Sequence, residues 1–390
     1  MTDLQARLGD LIAAYDRQGW HRTGTEGDRQ SAEWLGGEAA ALGLKPELEP
    51  FTLNRIDPLP SWVESEGQRI DGLPFFGGGF TDDAGIEGRI GAIGSQTEIG
   101  LVESPPNAPD GPLAEARHRG AHRAVVVVTR GNQPGLALLN APDFMHPFLL
   151  PILQVSSDAG SRLAELAERG ARVRVVVRAD RRGVRAYNVV TRVGGYDSSA
   201  APVAVMTPRS GWWRCASERG GGLACWIEAL RAARESTPRR DVWFLASSGH
   251  ELGHLGLEAF LAQRPQLVTS AVAWVHFGAN IGAAEGSGVR LAASDEALER
   301  LATEAMTRAG CGPFSTIARG TVPCGEARNI RSRGGRYISL IGSNTRFHLE
   351  TDRWPEAVDI DAVARYATAS SGLVTALAHA QGAEPPPAET

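Results

Sequence analysis

The sequence predicts an α/β protein: a mostly parallel mixed sheet sandwiched by helices, with a small β-rich domain inserted into it. Three observations lead there. At 390 residues the chain exceeds what one compact core usually serves, so two domains are expected. After residue 182, short apolar runs alternate with helical stretches, the pattern of parallel strands covered on both faces. Between residues 54 and 182 brief β runs joined by Pro- and Gly-rich connections take over, which reads as a domain of its own. The division is therefore 1–53 with 183–380 for the main domain, 54–182 for the insert, and a Pro-rich tail, 381–390, expected to be disordered.

Taken in order, Leu4, Leu8, Leu11, Ile12 and Tyr15 recur at helical spacing, and a Gly-rich turn at 23–28 then starts a second helix through Trp34, Ala39 and Leu42. Gly43 ends it, and residues 46–53 read as a strand. In the insert, residues 89–93, 124–129 and 172–177 are strand-like and 161–169 helical. The main domain resumes with strands at 188–193 and 203–206, then a helix at 222–234 with Leu223, Trp226, Ile227 and Leu230 on one face. Strands come next at 241–246, 271–277 and 338–341, and a long helix at 360–378 closes the pattern. In such a sheet ligands bind at the carboxyl ends of the strands.

Composition excludes several classes. The chain is 42% hydrophobic and 22% charged with a net charge of −5, which argues against nucleic acid or an anionic membrane surface as partner. No apolar run reaches the roughly 20 residues that cross a bilayer. The start has no basic stretch leading into an apolar one, so a cytoplasmic protein is expected. Four cysteines without a CxxC pair make neither a disulfide framework nor a thiolate zinc site.

His250-Glu251-Leu252-Gly253-His254 fits the pattern HExxH, which binds zinc only when a regular helix puts both histidines on one face. Here a strand ends three residues before His250, and Gly253 and Gly256 weaken a helix. The motif is discounted as a zincin helix.

With its flanks, the segment 242–260, VWFLASSGHELGHLGLEAF, resembles the stretch of the peptidase M28 family in which an apolar strand runs into Glu-Glu-x-Gly-x-x-Gly. Tyr187-Asn188-Val189-Val190 through Gly195 resembles that family's NV…G strand, and residues 203–210 the strand end His-x-Asp-Ser that follows it. Residues 215–222 stand where it has Gly-Ala-Asp-Asp-Asn-x-x-Gly. Residues 273–278 resemble its strand ending in a metal-binding Asp, and Phe347-His348 with Thr351-Asp352 its closing Tyr-His-Thr…Asp. The insert, through residues 151–156, Gly160 and Leu163, resembles the protease-associated domain often found in this family.

The resemblance implies a zinc aminopeptidase-like fold with an altered centre. The family holds two zinc ions through a bridging Asp and uses a Glu as base. Here Glu251 and His348 keep two ligands of the first metal, while Ser217 stands at the bridging Asp with Glu218 beside it. Thr207 and Arg209 replace a His and its orienting Asp, His276 replaces the second metal's Asp, and His250 the base. Two close dications need a shared anion to offset their repulsion, and Ser217 supplies none. One zinc, or another divalent transition metal, remains expected, held by Glu251, His348 and one of His276, His250 or Glu218. The implied activity is hydrolysis of an amide or peptide bond in a small or short peptide-like substrate, with His250 and Glu251 as catalytic residues. Arg209 with Trp212, Trp213 and Glu218 is expected on the substrate, the guanidinium suiting an anionic group. Alternatively, Arg209 pairs with Glu218 or Glu326 and fills the vacated metal position. A metal-free homologue kept for binding, or for His/Glu acid–base catalysis, remains the other reading. His254 is expected to be structural, and His118, His122 and His146 to be loop or surface residues.

Overall fold

Two runs of residues buried from end to end, Val203–Pro208 and Ala273–Phe277, form the middle of the sheet, because only a strand covered on both faces is buried at every position. The structure is a computed structural model that describes residues 1–106 and 111–381, apart from the side chains of 117–119. The tail beyond residue 381 and the side chain of His118 lie outside the described residues.

The chain opens with α1 (Asp3–Arg17), started by a Thr2/Gln5 capping box, and α2 (Glu26–Ala41), capped by the Thr25 hydroxyl. β1 (Glu47–Pro58) then leads into a closed seven-stranded barrel. Its strands are β2 (Ser61–Ser65), β3 (Gln68–Pro74), β4 (Ile86–Ala92), β5 (Ile99–Ser104), β6 (Ala124–Thr129), β7 (Ile152–Val155) and β8 (Arg172–Val176). The helices α3 (Pro112–Arg119) and α4 (Gly160–Glu168) accompany it, and the barrel order is β2-β3-β7-β6-β5-β4-β8. Closure leaves no free sheet edge.

β9 (Ala179–Val193) returns from the barrel antiparallel to β1 along its whole length, from Pro58↔Ala179 to Glu47↔Val190. The main domain continues with β10 (Val203–Pro208), α5 (Ala216–Ser236), β11 (Val242–Ser247), α6 (Leu255–Gln263), α7 (Leu267–Ser270) and β12 (Ala273–Phe277). It ends with β13 (Val289–Ala293), α8 (Glu296–Arg308), β14 (Phe314–Thr316), α9 (Ala327–Arg331), β15 (Tyr337–Ile341) and α10 (Ile360–His379). The eight-stranded sheet has the order β1-β9-β11-β10-β12-β15-β13-β14. Its centre, β11-β10-β12-β15, is parallel, with antiparallel pairs on both sides. One face buries Leu8, Ile12, Leu35, Trp226 and Leu373 from α1, α2, α5 and α10. The other buries Leu257, Phe260, Val268 and Ile330 from α6, α7 and α9. Among the described residues no helix is long and apolar enough to cross a membrane.

One expectation is corrected. The helix expected at 222–234 begins six residues earlier, so Ser217 and Glu218 lie in its first turn. The helix holds glycine at 220–222 because its neighbours leave no room for a side chain: a Cβ at Gly221 would stand 1.7 Å from the Ile281 carbonyl oxygen. His122 lies in a loop, as expected, and is buried there. Its Nε2 accepts from the Gly94 N–H at 2.8 Å and its Nδ1 lies 2.8 Å from the Thr97 carbonyl, closing a turn of the barrel.

Candidate active site

The parallel strands end together, and the loops that leave them build one cleft. After β11 come Ser248, Gly249 and His250; after β12, Ala279 and Asn280; after β15, residues 342–344. The resulting cleft has a volume of about 570 Å³, with Arg130 and Pro106 of the barrel on its other side. It lies at the carboxyl edge of the sheet, where strand-end loops are free to carry function.

His250, Glu251 and Leu252 form a single 3₁₀ turn between Gly249 and Gly253, both at positive φ, so the HExxH pattern lies on no α-helix. His254 also has positive φ, its ring centroid 4.8 Å from that of His250. Non-glycine residues at positive φ are uncommon and tend to gather at functional sites. Glu66 and Thr237 take this state elsewhere in the chain, but Cys215, His254, Asn280 and His348 all take it in this region.

Glu251 points away from the cleft. It is fully buried and accepts three hydrogen bonds: Thr23 N–H at 2.9 Å, Thr23 hydroxyl at 2.6 Å and Ser210 hydroxyl at 2.6 Å. Those hydroxyls in turn accept from the Gly249 N–H, at 2.9 Å for Thr23 and 2.8 Å for Ser210. The carboxylate thus clamps α2's entry turn, the end of β10 and the turn carrying His250.

Arg209 pairs neither with Glu218 nor with Glu326. Its buried guanidinium lies 3.0 Å from the Asp28 carboxylate, donates to the Tyr187 carbonyl at 2.7 Å, and also bonds Ser31. Trp212 and Trp213 are buried too. Trp212 donates to the Asn140 side chain at 3.1 Å, and Trp213 to the His348 carbonyl at 2.8 Å, so both fasten loops rather than line the cleft. Glu218 is fully buried below the cleft floor. Of the residues expected to touch substrate, Arg209, Trp212, Trp213 and Glu218, none reaches the cleft surface.

The cation beside Glu218 is Arg219. Its Nη2 is 2.8 Å from Glu218 Oε1, and its Nε donates to the Ser210 carbonyl at 2.6 Å. Against the cost of burial, Arg219 and then His348 pull the Glu218 carboxyl down to about 2. His348 Nε2 is 3.5 Å from Glu218 Oε1, and its Nδ1 lies 2.6 Å from the Leu138 carbonyl of the barrel. Residues 137–139 and 141 form a buried strap over this corner, and the Ala141 N–H donates to the Glu251 carbonyl at 2.8 Å.

His250 and His276 both border the cleft. Burial first, then the nearby Arg219 charge, holds His250 well below the usual imidazole range, so it is neutral at pH 7. Its Nδ1 lies 3.5 Å from Glu326 Oε1, which also accepts from the Ser247 hydroxyl at 2.6 Å. His276 Nδ1 is 2.8 Å from the Ser339 hydroxyl, and burial pushes this imidazole down to about 3. His254 Nδ1 is 2.7 Å from the Asn329 side chain. Unpartnered buried atoms remain: His250 Nδ1, His276 Nε2, Glu326 Oε2, Asn344 Nδ2 and His348 Nε2. Buried polar atoms without partners are costly, and an ordered water, an ion or a bound group would satisfy them.

A two-zinc centre does not fit these side chains. Ser217 offers no bridging anion, Thr207 donates its hydroxyl to the Phe277 carbonyl at 2.8 Å, and Glu251 is committed to Thr23 and Ser210. Glu251, His348 and His276 are not brought to a common point. Among the described residues no three His, Cys, Asp or Glu side chains form a metal cage. The fixed positive charge of Arg219 faces both Glu218 and Glu251 instead.

Sequence reading missed the weight of Glu326, Asn344 and Arg219. Asn344 comes just after a recognised strand, so the strand-end rule pointed to it. Glu326 sits in a Pro/Gly-rich loop with no periodic signal.

No family model and no curated protein matches the sequence. Solved structures do match. A zinc aminopeptidase from Bacillus subtilis aligns over 98% of this chain and 96% of its own, with TM-score 0.76 and 14% identity. An aminopeptidase from Aneurinibacillus sp. strain AM-1 covers 97% and 94%, with TM-score 0.72 and 12% identity. A peptidase M28 precursor from Shewanella amazonensis covers 97% and 96%, with TM-score 0.74 and 14% identity. Insert and sheet included, the chain therefore has the fold of the peptidase M28 aminopeptidases.

Proposed function

We propose that this protein is a peptidase-like hydrolase cleaving an amide bond in a small peptide-like substrate, with His250 as the proton-accepting group. The observation that carries the reading is His250 itself: at the strand-end cleft, neutral at pH 7, with an unpartnered Nδ1 3.5 Å from Glu326. Solved aminopeptidases of the same fold, one of them a zinc enzyme, support an amide-hydrolysing reaction. In the proposed step, His250 takes a proton from water as the water oxygen bonds to the acyl carbon. Glu326 then faces the imidazolium, and His250 returns the proton to the leaving nitrogen as the C–N bond breaks. Glu251 holds the turn that aims His250. The barrel fits the protease-associated insert, and its strap caps the site. A cytoplasmic setting agrees with four free cysteines.

A second reading rests on Glu218 Oε1 and His348 Nε2, 3.5 Å apart, the first ion-paired with Arg219 and the second without a hydrogen bond. These are two donors that a single divalent zinc would use, if Arg219 gave way. Elemental analysis together with His250→Gln separates the two. Hydrolysis that survives chelation and is lost in His250→Gln supports the proposal. One equivalent of zinc, with activity lost on chelation and restored by zinc, sinks it.

A further inference from the structure

An aminopeptidase must hold its substrate's free ammonium, and the usual partner for a cation in a cleft is a carboxylate. Among the described residues bordering this cleft there is no Asp or Glu, while Arg130, Arg290 and Arg328 and three histidines do border it. Arg130 is engaged by Glu103. Arg290 and Arg328 are exposed and have no ion-pair or hydrogen-bond partner for their side chains among the described residues, although the chain as a whole is acidic. The nearest carboxylates are fully buried and do not border the cleft: Glu218 is ion-paired with Arg219, and Glu326 accepts from the Ser247 hydroxyl. Arg290 is cross-strand partner to Ile341, itself at the cleft, and Arg328 acts on the nearby His254. Asn344 Nδ2 and His276 Nε2, of residues that also border the cleft, are buried and unpartnered.

We infer that the substrate is an amide bearing a free carboxylate and no free α-ammonium, the class of N-acyl amino acids, with Arg290 and Arg328 as its anion subsite. This deepens the hydrolase reading and rests on it for turnover, but not for binding. A planar guanidinium receives a carboxylate through two parallel N–H bonds, and each such charged contact is worth roughly a tenfold change in affinity or more. Asn344 and His276 contribute polar contacts to the amide itself. A free ammonium in the same cleft finds no carboxylate among the described lining residues and meets the arginines as like charge.

The test uses the full chain and three probes: N-acetyl-L-alanine, its carboxamide, and leucine p-nitroanilide. Turnover of the N-acetyl amino acid is expected to exceed that of both others. In Arg290→Gln and Arg328→Gln, KM for it is expected to rise about tenfold each while kcat and KM for the neutral carboxamide stay put. A separate arm measures N-acetyl-L-alanine binding by calorimetry to His250→Gln. Binding there that weakens in Arg328→Gln, without turnover of any amide by the wild type, overturns the hydrolase reading and leaves the anion subsite standing. Preferred turnover of leucine p-nitroanilide, or an unchanged KM in both arginine variants, overturns the subsite.

Discussion

Replacing Glu251 distinguishes a structural clamp from a metal ligand. In Glu251→Ala the Thr23 N–H loses its acceptor inside a fully buried site, and the Thr23 and Ser210 hydroxyls lose theirs. An orphaned buried donor costs about 1–3 kcal/mol, and the hydroxyls can turn toward other partners, so about 3 kcal/mol in total is expected once the cavity is included. Glu251→Gln keeps the shape and one acceptor oxygen. Its amide must then face a Ser210 hydroxyl that already accepts from Gly249, so a loss of about 1 kcal/mol is expected. The assay is urea denaturation of wild type and both variants, with and without added zinc. The reasoning is refuted if the alanine variant is as stable as wild type, or if zinc stabilises wild type and neither variant.

Other expectations come from single contacts. Gly221→Ala would stabilise an exposed helix, but here its Cβ meets the Ile281 carbonyl oxygen, so a loss of several kcal/mol and of soluble yield is expected in thermal melts. Asp352, buried where it accepts from the Ser217 and Glu218 N–H groups, is raised to about 7 chiefly by desolvation. Its folded form therefore holds a proton that the unfolded chain releases near pH 4, so stability falls as pH rises from about 4 to 7 and levels off above. Asp352→Asn should flatten that part of the pH–stability curve; an unaltered slope refutes the assignment. For His250 the sign is opposite in effect on rate: the base must be unprotonated, so kcat/KM rises with pH through a value well below 6.5 and is level at neutrality. An acid limb centred at or above 6.5 contradicts that role.

Much of the fold was legible because burial on both faces writes itself into sequence: residues 203–206 and 271–275 are apolar without alternation, and the helix at 360–378 has a clear apolar stripe. The barrel was legible only in part, since β3 and β5 mix exposed and buried positions around Gly72 and Gly100 and carry weak patterns. The start of α5 was hidden because glycine reads locally as a breaker, whereas here tight packing against Ile12 and Ile281 requires it. At the site, the choice of His250, Glu251 and His348 as a neighbourhood came from motif flanks. Their roles did not, because a carboxylate's direction depends on partners far along the chain. Nothing near Glu251 in sequence announces Thr23, and nothing near Arg209 announces Asp28.

Those separations have a consequence for synthesis. Thr23 and Glu251 are 228 residues apart, and the strap contact between Leu138 and His348 spans 210. During translation the barrel is complete well before β11 has been made, so it waits as a folded platform. The cleft closes only when the segment around His348 docks beneath the strap. A chain truncated before that point leaves the buried faces of Trp213 and Leu138 uncovered, and that exposed apolar corner is what a chaperone or protease would read as unfinished.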